Sequence, residues 1–203
     1  MFCHRGSWRL PAIFLTLLFF ALSSSVHAQT VTSVRSLGLQ KCSVFTQSLP
    51  ESKDRTPLLL YSQWLAGFLT GKNASTGKMD LFPIRDPLDE WVRLVAMICN
   101  MNQDKRLFEV AEGVLTKLKK YHIKANDRVL EIKYSNDQKK IVVYRSFLKK
   151  SQTFLRTKGY SVRPDGAWGS RTEKAFAKFK KDNSIAGPPI PDAFFLMALL
   201  SDK

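Results

Sequence analysis

Five side chains within a short stretch near the C-terminus, Tyr160, Arg163, Asp165, Trp168 and Arg171, have types and spacing suited to holding a ligand. An aromatic ring on a loop can stack on a sugar ring. Arginine offers a planar fork that grips a carboxylate with two parallel hydrogen bonds. The same residues also have plainer uses. Trp168 can cover a core, Asp165 can fix a turn, and Arg163 and Arg171 can be solvated charges. Both readings stay open at the level of sequence.

Catalytic chemistry has much less to work with. Beyond residue 28 the chain keeps one histidine, His122, and a zinc hydrolase site needs several imidazole or carboxylate ligands plus an acid or base. A cysteine nucleophile needs a free thiolate beside histidine. Only Cys42 and Cys99 follow residue 28, and no His-Gly-Cys stretch occurs. Glu51, in "PESKDR", is the one glutamate that faintly resembles a glycosidase acid, but the glutamine motif that should follow it is missing. Glu90, Glu109 and Glu112 fall on helical stretches as surface charges. No phosphate loop, dinucleotide fingerprint or metal-ligand cluster is present, so no cofactor is expected. The expectation is a non-catalytic protein.

The first 28 residues read as an export signal. Arg5 and Arg9 precede the apolar run "LPAIFLTLLFFALSSS", and Val26 and Ala28 are small residues at −3 and −1 of a cleavage site. An uncleaved anchor is the alternative. The chain has 203 residues and a formal charge of +15; loss of the two arginines, with no acid removed, leaves +13. Such a surface favours polyanions. Export argues for a periplasmic or secreted location and against nucleic acid. Two cysteines in an exported chain imply a Cys42–Cys99 disulfide. Asn73, in "NAS", also matches a glycosylation acceptor.

The elements that must position these residues are helical. "TPLLLYSQWLAGFLTG" predicts a helix over 56–71, with Thr56 as cap and Pro57 in its first turn. Asp86 and Pro87 open a second helix carrying Leu88, Trp91, Val92, Val95 and Cys99 on one side. A third carries the stripe Leu107, Val110, Ala111, Val114 and Leu118. Residues 122–143 read either as a linker or as a short hairpin around "SNDQ". From Tyr144, a helix with Phe147, Leu148, Phe154 and Leu155 inward stops at Gly159. A turn-rich loop follows, then a helix opened by a Ser170/Glu173 capping box with Thr172, Ala175, Phe176 and Phe179 on its buried face. Asp192 caps a last helix carrying Phe195, Leu196, Leu199 and Leu200. The fold class expected is mainly α: a disulfide-tied helical part at 29–121 and a three-helix bundle at 144–203.

The C-terminal pattern resembles the peptidoglycan-binding-like domain attached to many bacterial wall hydrolases. That family reads Q-x-x-L-x-x-x-G-[YF], then D-G-x-[FWY]-G-x-x-T-x-x-A-[VIF]-x-x-[FY]-Q. Gln152, Leu155, Gly159 and Tyr160 match the first part; Asp165, Gly166, Trp168, Gly169, Thr172, Ala175, Phe176 and Phe179 match the second in register. Two departures stand out. Lys180 occupies the position of the final glutamine, and "GPPIPDAFFLMALL" replaces the family's closing G-x-x-[DN]-x-x-T-x-x-x-L turn. The resemblance implies a binder of peptidoglycan glycan or stem peptide, with the five residues above as ligand contacts.

The N-terminal part, with Cys42, "WLAGFLTGKN", Asp80, Trp91 and Cys99, is similar to small two-cysteine periplasmic proteins of the acid-chaperone and immunity type. That likeness implies a disulfide-tied helical fold without enzyme activity. It also implies an alternative function: an inhibitor, immunity protein or chaperone acting on a periplasmic protein partner.

Overall fold

In a computed structural model, residues 36–49, 55–77, 79–85, 88–134 and 139–202 are described. The expected signal at 1–28, Glu51, the Asp86–Pro87 start and the "SNDQ" turn lie outside them. Among the described residues no helix is long and apolar enough to cross a membrane.

The chain is mainly helical. Helix α1 spans Cys42–Gln47, α2 Thr56–Thr76, α3 Leu88–Asn100 and α4 Leu107–Lys117, the last running into a 3-10 turn at Leu118–Tyr121. Pro57 occupies the first turn of α2, as expected, but Thr56 is the first helical residue and the N-cap is Arg55, without a side-chain hydrogen bond. Helix α2 also passes Gly71 and stops at Gly77, whose φ of 68° is left-handed. Gly71 meets open space, so a glycine at a helical position did not end the helix. The expected stripes are buried, with Leu88 only partly covered: Trp91, Val92, Val95 and Cys99 on α3, and Leu107, Val110, Ala111, Val114 and Leu118 on and after α4. Trp91 also donates its indole N–H to the Leu65 carbonyl at 3.1 Å, tying α3 to α2. Trp64 lies on Gly38, where a Cβ would sit 2.1 Å from the indole, so only glycine fits there.

Cys42 and Cys99 form the expected disulfide, with an S–S distance of 2.02 Å, joining α1 to the end of α3. Closing a loop across a sequence separation of 57 stabilises the fold by about 4 kcal/mol in the chain-entropy view.

Residues left open as linker or hairpin form strands. Strand β4 (Val129–Tyr134) pairs antiparallel with β5 (Lys139–Tyr144), and β5 pairs on its other side with β2 (Ile84–Arg85). A two-residue ladder joins β1 (Met79–Asp80) to β3 (Ile123–Lys124). Ile84, Ile132, Ile141 and Val143 are buried, while Glu131 and Lys140 pair at 2.9 Å on the wet side. That alternation is what a one-sided antiparallel sheet requires.

Helices α5 (Arg145–Thr157), α6 (Ser170–Asp182) and α7 (Ala193–Ser201) form the C-terminal bundle. Its centre is aromatic: Phe195 meets Phe154, Phe176 and Phe179 at ring distances of 6.0, 4.7 and 5.6 Å. The opposite side of α7 packs on α3. Arg93 of α3 lies 5.6 Å over the Phe194 ring, and Glu90 accepts a 2.6 Å hydrogen bond from the Ala193 N–H. Residues Val34–Lys203 accordingly form one compact unit. A helix apolar on all sides is stable only when both sides are covered, and α7 has that composition.

The same contact contains a buried charge cluster. Lys180, 3% exposed, pairs with Asp192, also 3% exposed, at 2.8 and 2.7 Å, and donates to the Pro188 carbonyl at 2.6 Å. Asp192 also caps α7, accepting from the Phe195 N–H at 3.0 Å as expected. Burial pushes the Asp192 and Glu90 carboxyls up and the Lys180 ammonium down; attraction between Lys180 and Asp192 opposes their shifts, and the Ala193 N–H opposes that of Glu90 while the Asp192 charge adds to it.

Lys180→Met should strand a buried carboxylate and lower stability by about 3–5 kcal/mol in urea unfolding. Combining it with Asp192→Asn, which keeps a capping oxygen, should recover most of that loss. A single-variant loss below about 1 kcal/mol would contradict this account.

Glu90 supplies a pH test. Its folded pKa is raised, first by burial, above the ordinary 4.5. Its contribution to stability is therefore present below that value and lost as pH rises through the folded pKa. Glu90→Gln should be more stable than the parent at pH ~7, and the gap should narrow on acidification toward ~4.5. A gap that does not change with pH would contradict the assignment.

Candidate functional site

The loop between α5 and α6 is organised from beneath by Gln152. This side chain is fully buried on α5, on the same face as Leu148 and Leu155. Its Oε1 accepts from the Gly166 N–H at 2.7 Å. Its Nε2 donates to the Ala167 carbonyl at 2.8 Å and to Thr172 Oγ1 at 3.1 Å. Thr172 also donates to the Ala167 carbonyl at 3.1 Å. Gly166 has φ 71°, and a Cβ there would press to 3.0 Å from the Arg145 carbonyl, so both conformation and space demand glycine. Asp165 folds the turn: its Oδ1 accepts from the Ala167 N–H at 2.8 Å, which holds its carboxyl below the usual range. Arg145 clamps the turn from α5 through a 3.1 Å bond to the Asp165 carbonyl.

The expected Ser170/Glu173 capping box does not form. Gly169 is the N-cap, its extended backbone places its carbonyl to accept from the Glu173 N–H at 3.0 Å, and no side chain caps the helix. The capping glutamate of this fold is elsewhere, at Glu109, whose carboxylate accepts from the Arg106 N–H at 2.8 Å.

Four of the five candidate ligand contacts come together. Arg163, Asp165, Trp168 and Arg171 line one depression of ≈ 380 Å³. Trp168 is half-buried, its ring 5.5 Å from Phe176, so one face covers the core while the indole still lines the depression. Neither the Arg163 nor the Arg171 guanidinium makes a hydrogen bond or ion pair among the described residues. Tyr160 is separate. It stacks edge-on against Phe179 at 5.5 Å, donates to Asp182 at 3.1 Å, and lines another depression with Phe154, Lys158 and Asn183. Packing on Phe179 turned it away from the loop.

A third depression, of ≈ 660 Å³, lies where α2, β1, β2, β3 and the end of β5 meet. Asn73, the last residue of "WLAGFLTGKN", donates to Asp80 at 3.0 Å and accepts from the Leu81 N–H at 3.0 Å. Its amide is thus occupied inside the fold, which disfavours its use as a glycan acceptor. Tyr144 donates to the other Asp80 oxygen at 2.8 Å; burial, then that hydrogen bond, push its hydroxyl pKa up to about 12. Asp127 accepts from the Ser146 N–H at 3.2 Å, capping α5 from outside the helix. His122 contacts the Leu115 carbonyl at 3.1 Å at a helix end. Among the described residues no cluster of His, Cys, Asp or Glu could hold a metal ion.

The chain matches no protein-family model, no curated protein and no solved structure.

Gln152, Lys180 and Asn73 hold structural roles that no local motif specifies, although the helical pattern carries one signal for the first two. Gln152 and Lys180 are polar residues at positions that continue an apolar helical stripe, next to Leu148 and Leu155 and to Phe176 and Phe179. A polar residue placed there is buried, so it must be satisfied.

Gln152→Ala should leave the Gly166 N–H without its partner and cost about 1–3 kcal/mol in urea unfolding, with a red shift in tryptophan emission as the loop opens around Trp168. A loss under about 0.5 kcal/mol, within the range of surface substitutions, would remove Gln152 as the loop's organiser.

Proposed function

We propose that this protein is an exported, non-catalytic cell-wall protein that binds peptidoglycan through its C-terminal bundle and holds the N-terminal helices there. One observation carries the reading: Arg163, Trp168 and Arg171 converge on a single open depression, with two guanidinium groups that make no ion pair among the described residues beside an aromatic plane. Such a surface suits a polymer of sugar rings bearing carboxylates. The indole stacks on a ring, and the guanidiniums pair with stem-peptide carboxylates. Asp165 contributes by fixing the loop rather than by offering its charge, since its Oδ1 is already committed to Ala167. The likeness of the 152–179 pattern to wall-binding modules supports the same reading. So does a positive charge of +15 over the whole chain, which draws the protein to an anionic wall. No cofactor is required.

A second reading rests on a different surface. Leu59 and Leu60, consecutive residues in the first turns of α2, are 58% and 53% exposed. An exposed apolar pair of this kind fits an inhibitor, immunity protein or chaperone that docks on a periplasmic protein. A stoichiometric envelope partner that is lost on Leu59→Ser/Leu60→Ser would favour it.

Co-sedimentation of the protein with purified sacculi tests the first reading. Binding should be clear at low salt and weaken as screening rises. Trp168→Ala should raise the apparent Kd about tenfold or more, as loss of a central aromatic does. Arg163→Gln/Arg171→Gln should act similarly. If the parent stays in the supernatant at low salt while a known wall binder pellets, the reading fails; if Trp168→Ala binds as well as the parent, this depression is not the site.

A further inference from the structure

The ≈ 660 Å³ depression at the end of α2 lies apart from the Trp168 loop and combines charges in an unusual way. Two carboxylates, Asp80 and Asp127, and two cations, Arg85 and Lys124, line it together. Opposite charges sharing a wet pocket ordinarily pair. Here none do: neither Arg85 nor Lys124 makes an ion pair or a side-chain hydrogen bond among the described residues.

The reason is that both carboxylates are pinned by neutral donors. Asp80 takes hydrogen bonds from Asn73 at 3.0 Å, from the Phe82 N–H at 3.2 Å and from Tyr144 at 2.8 Å. Asp127 is held through Oδ2 by the Ser146 N–H at 3.2 Å, which leaves its other oxygen unengaged. Neutral donors fix a carboxylate's position without cancelling its charge. The cations project from two other strands, β2 and β3, and are exposed. Positive and negative groups are thus held apart around one cavity, with no ion-pair partner for either cation among the described residues. Tyr144 keeps its proton, with its pKa at about 12, so it serves as a fixed donor and not as a base.

We propose that this depression binds a small zwitterion of the amino-acid type, either free or as the end of a short peptide. The ligand carboxylate pairs with Arg85 and Lys124, and its ammonium faces the open oxygen of Asp127. A volume of ≈ 660 Å³ admits a ligand of this size, up to a short peptide. The small side chains of Ala74 and Ala125 leave room for the ligand's own side chain. A simple anion would leave the carboxylates unanswered, and a simple cation would leave Arg85 and Lys124 so. This inference stands independently of wall binding at Trp168.

The test follows backbone amide shifts of Ala74, Ala125 and Asn126 in the whole protein. It is titrated separately with alanine, dialanine, trialanine, acetate, methylammonium and N-acetylglucosamine. Saturable shifts are expected with at least one zwitterion and not with the three other compounds at equal concentration. Response to free alanine identifies a free amino acid, and response only to the peptides identifies a peptide end. Arg85→Gln, Lys124→Gln and Asp127→Asn should each weaken binding about tenfold, the scale of one charge-assisted hydrogen bond. Lys174→Gln/Lys181→Gln, which removes two exposed lysines elsewhere, should leave it unchanged. Three results would overturn the proposal: no saturable shift with any zwitterion, an equal response to acetate alone, or an equal loss in the Lys174/Lys181 variant.

Discussion

The buried pair Lys180–Asp192 is the constraint on which the rest of this fold turns. Two charged groups, each only 3% exposed, require each other, because either one alone in that environment is severely penalised. Lys180 comes from α6 and Asp192 begins α7, so their pairing sets how far the last helix sits along the bundle. Glu90 of α3 then accepts from the first N–H of α7, and Arg93 covers the next residue, Phe194. A well-packed apolar replacement can match such a pair in free energy, but it would not specify this register. The N-terminal helices are therefore joined to the bundle by a directional contact as well as by apolar area.

The pair also ties two C-terminal segments together. Lys180 puts a cation into the core and so needs a buried anion. "GPPIPDAFF" supplies it, with Asp192 presented at a helix start where it also caps. The helix that Asp192 opens, α7, is apolar on both sides. One side then meets Phe154, Phe176 and Phe179, and the other meets α3. Either member of the pair is unfavourable without the other.

How much of this was legible in the sequence depended on the range of the interaction. Local grammar was readable: Pro57 at a helix start, the stripe from Leu107 to Leu118, the cap at Asp192, and the buried face Thr172, Ala175, Phe176 and Phe179. Those patterns rest on periodicity and on single-residue geometry. The Cys42–Cys99 bridge was readable by count. Ser170 misled because a capping box is only a four-residue pattern. Whether it forms depends on backbone direction, and the extended Gly169 takes the cap position instead. Tyr160 misled because proximity in sequence to Trp168 does not decide which side of the chain a ring faces; Phe179 decided it. The hairpin at 129–144 was undecidable alone, since its alternation is convincing only once Ile84 of a distant strand completes the sheet. The pinning of Asp80 by Tyr144 spans 64 residues and left no local trace.

Helix α5 is the shaft that links both candidate sites. Its N-cap, Tyr144, reaches Asp80 in the mixed-charge depression, and Gln152 holds the Trp168 loop. Eight residues at 1.5 Å each place those two anchor points about 12 Å apart along one rigid helix. Arg145, beside the N-cap, extends to the Asp165 carbonyl and so touches the second site from the first. Among the described residues every ion pair except Lys180–Asp192 is at the surface, where such pairs contribute little. The excess of cations is likewise superficial and destabilises the compact state through self-repulsion. The disulfide and the apolar core offset that cost. An anionic partner spread over the same surface would relieve it.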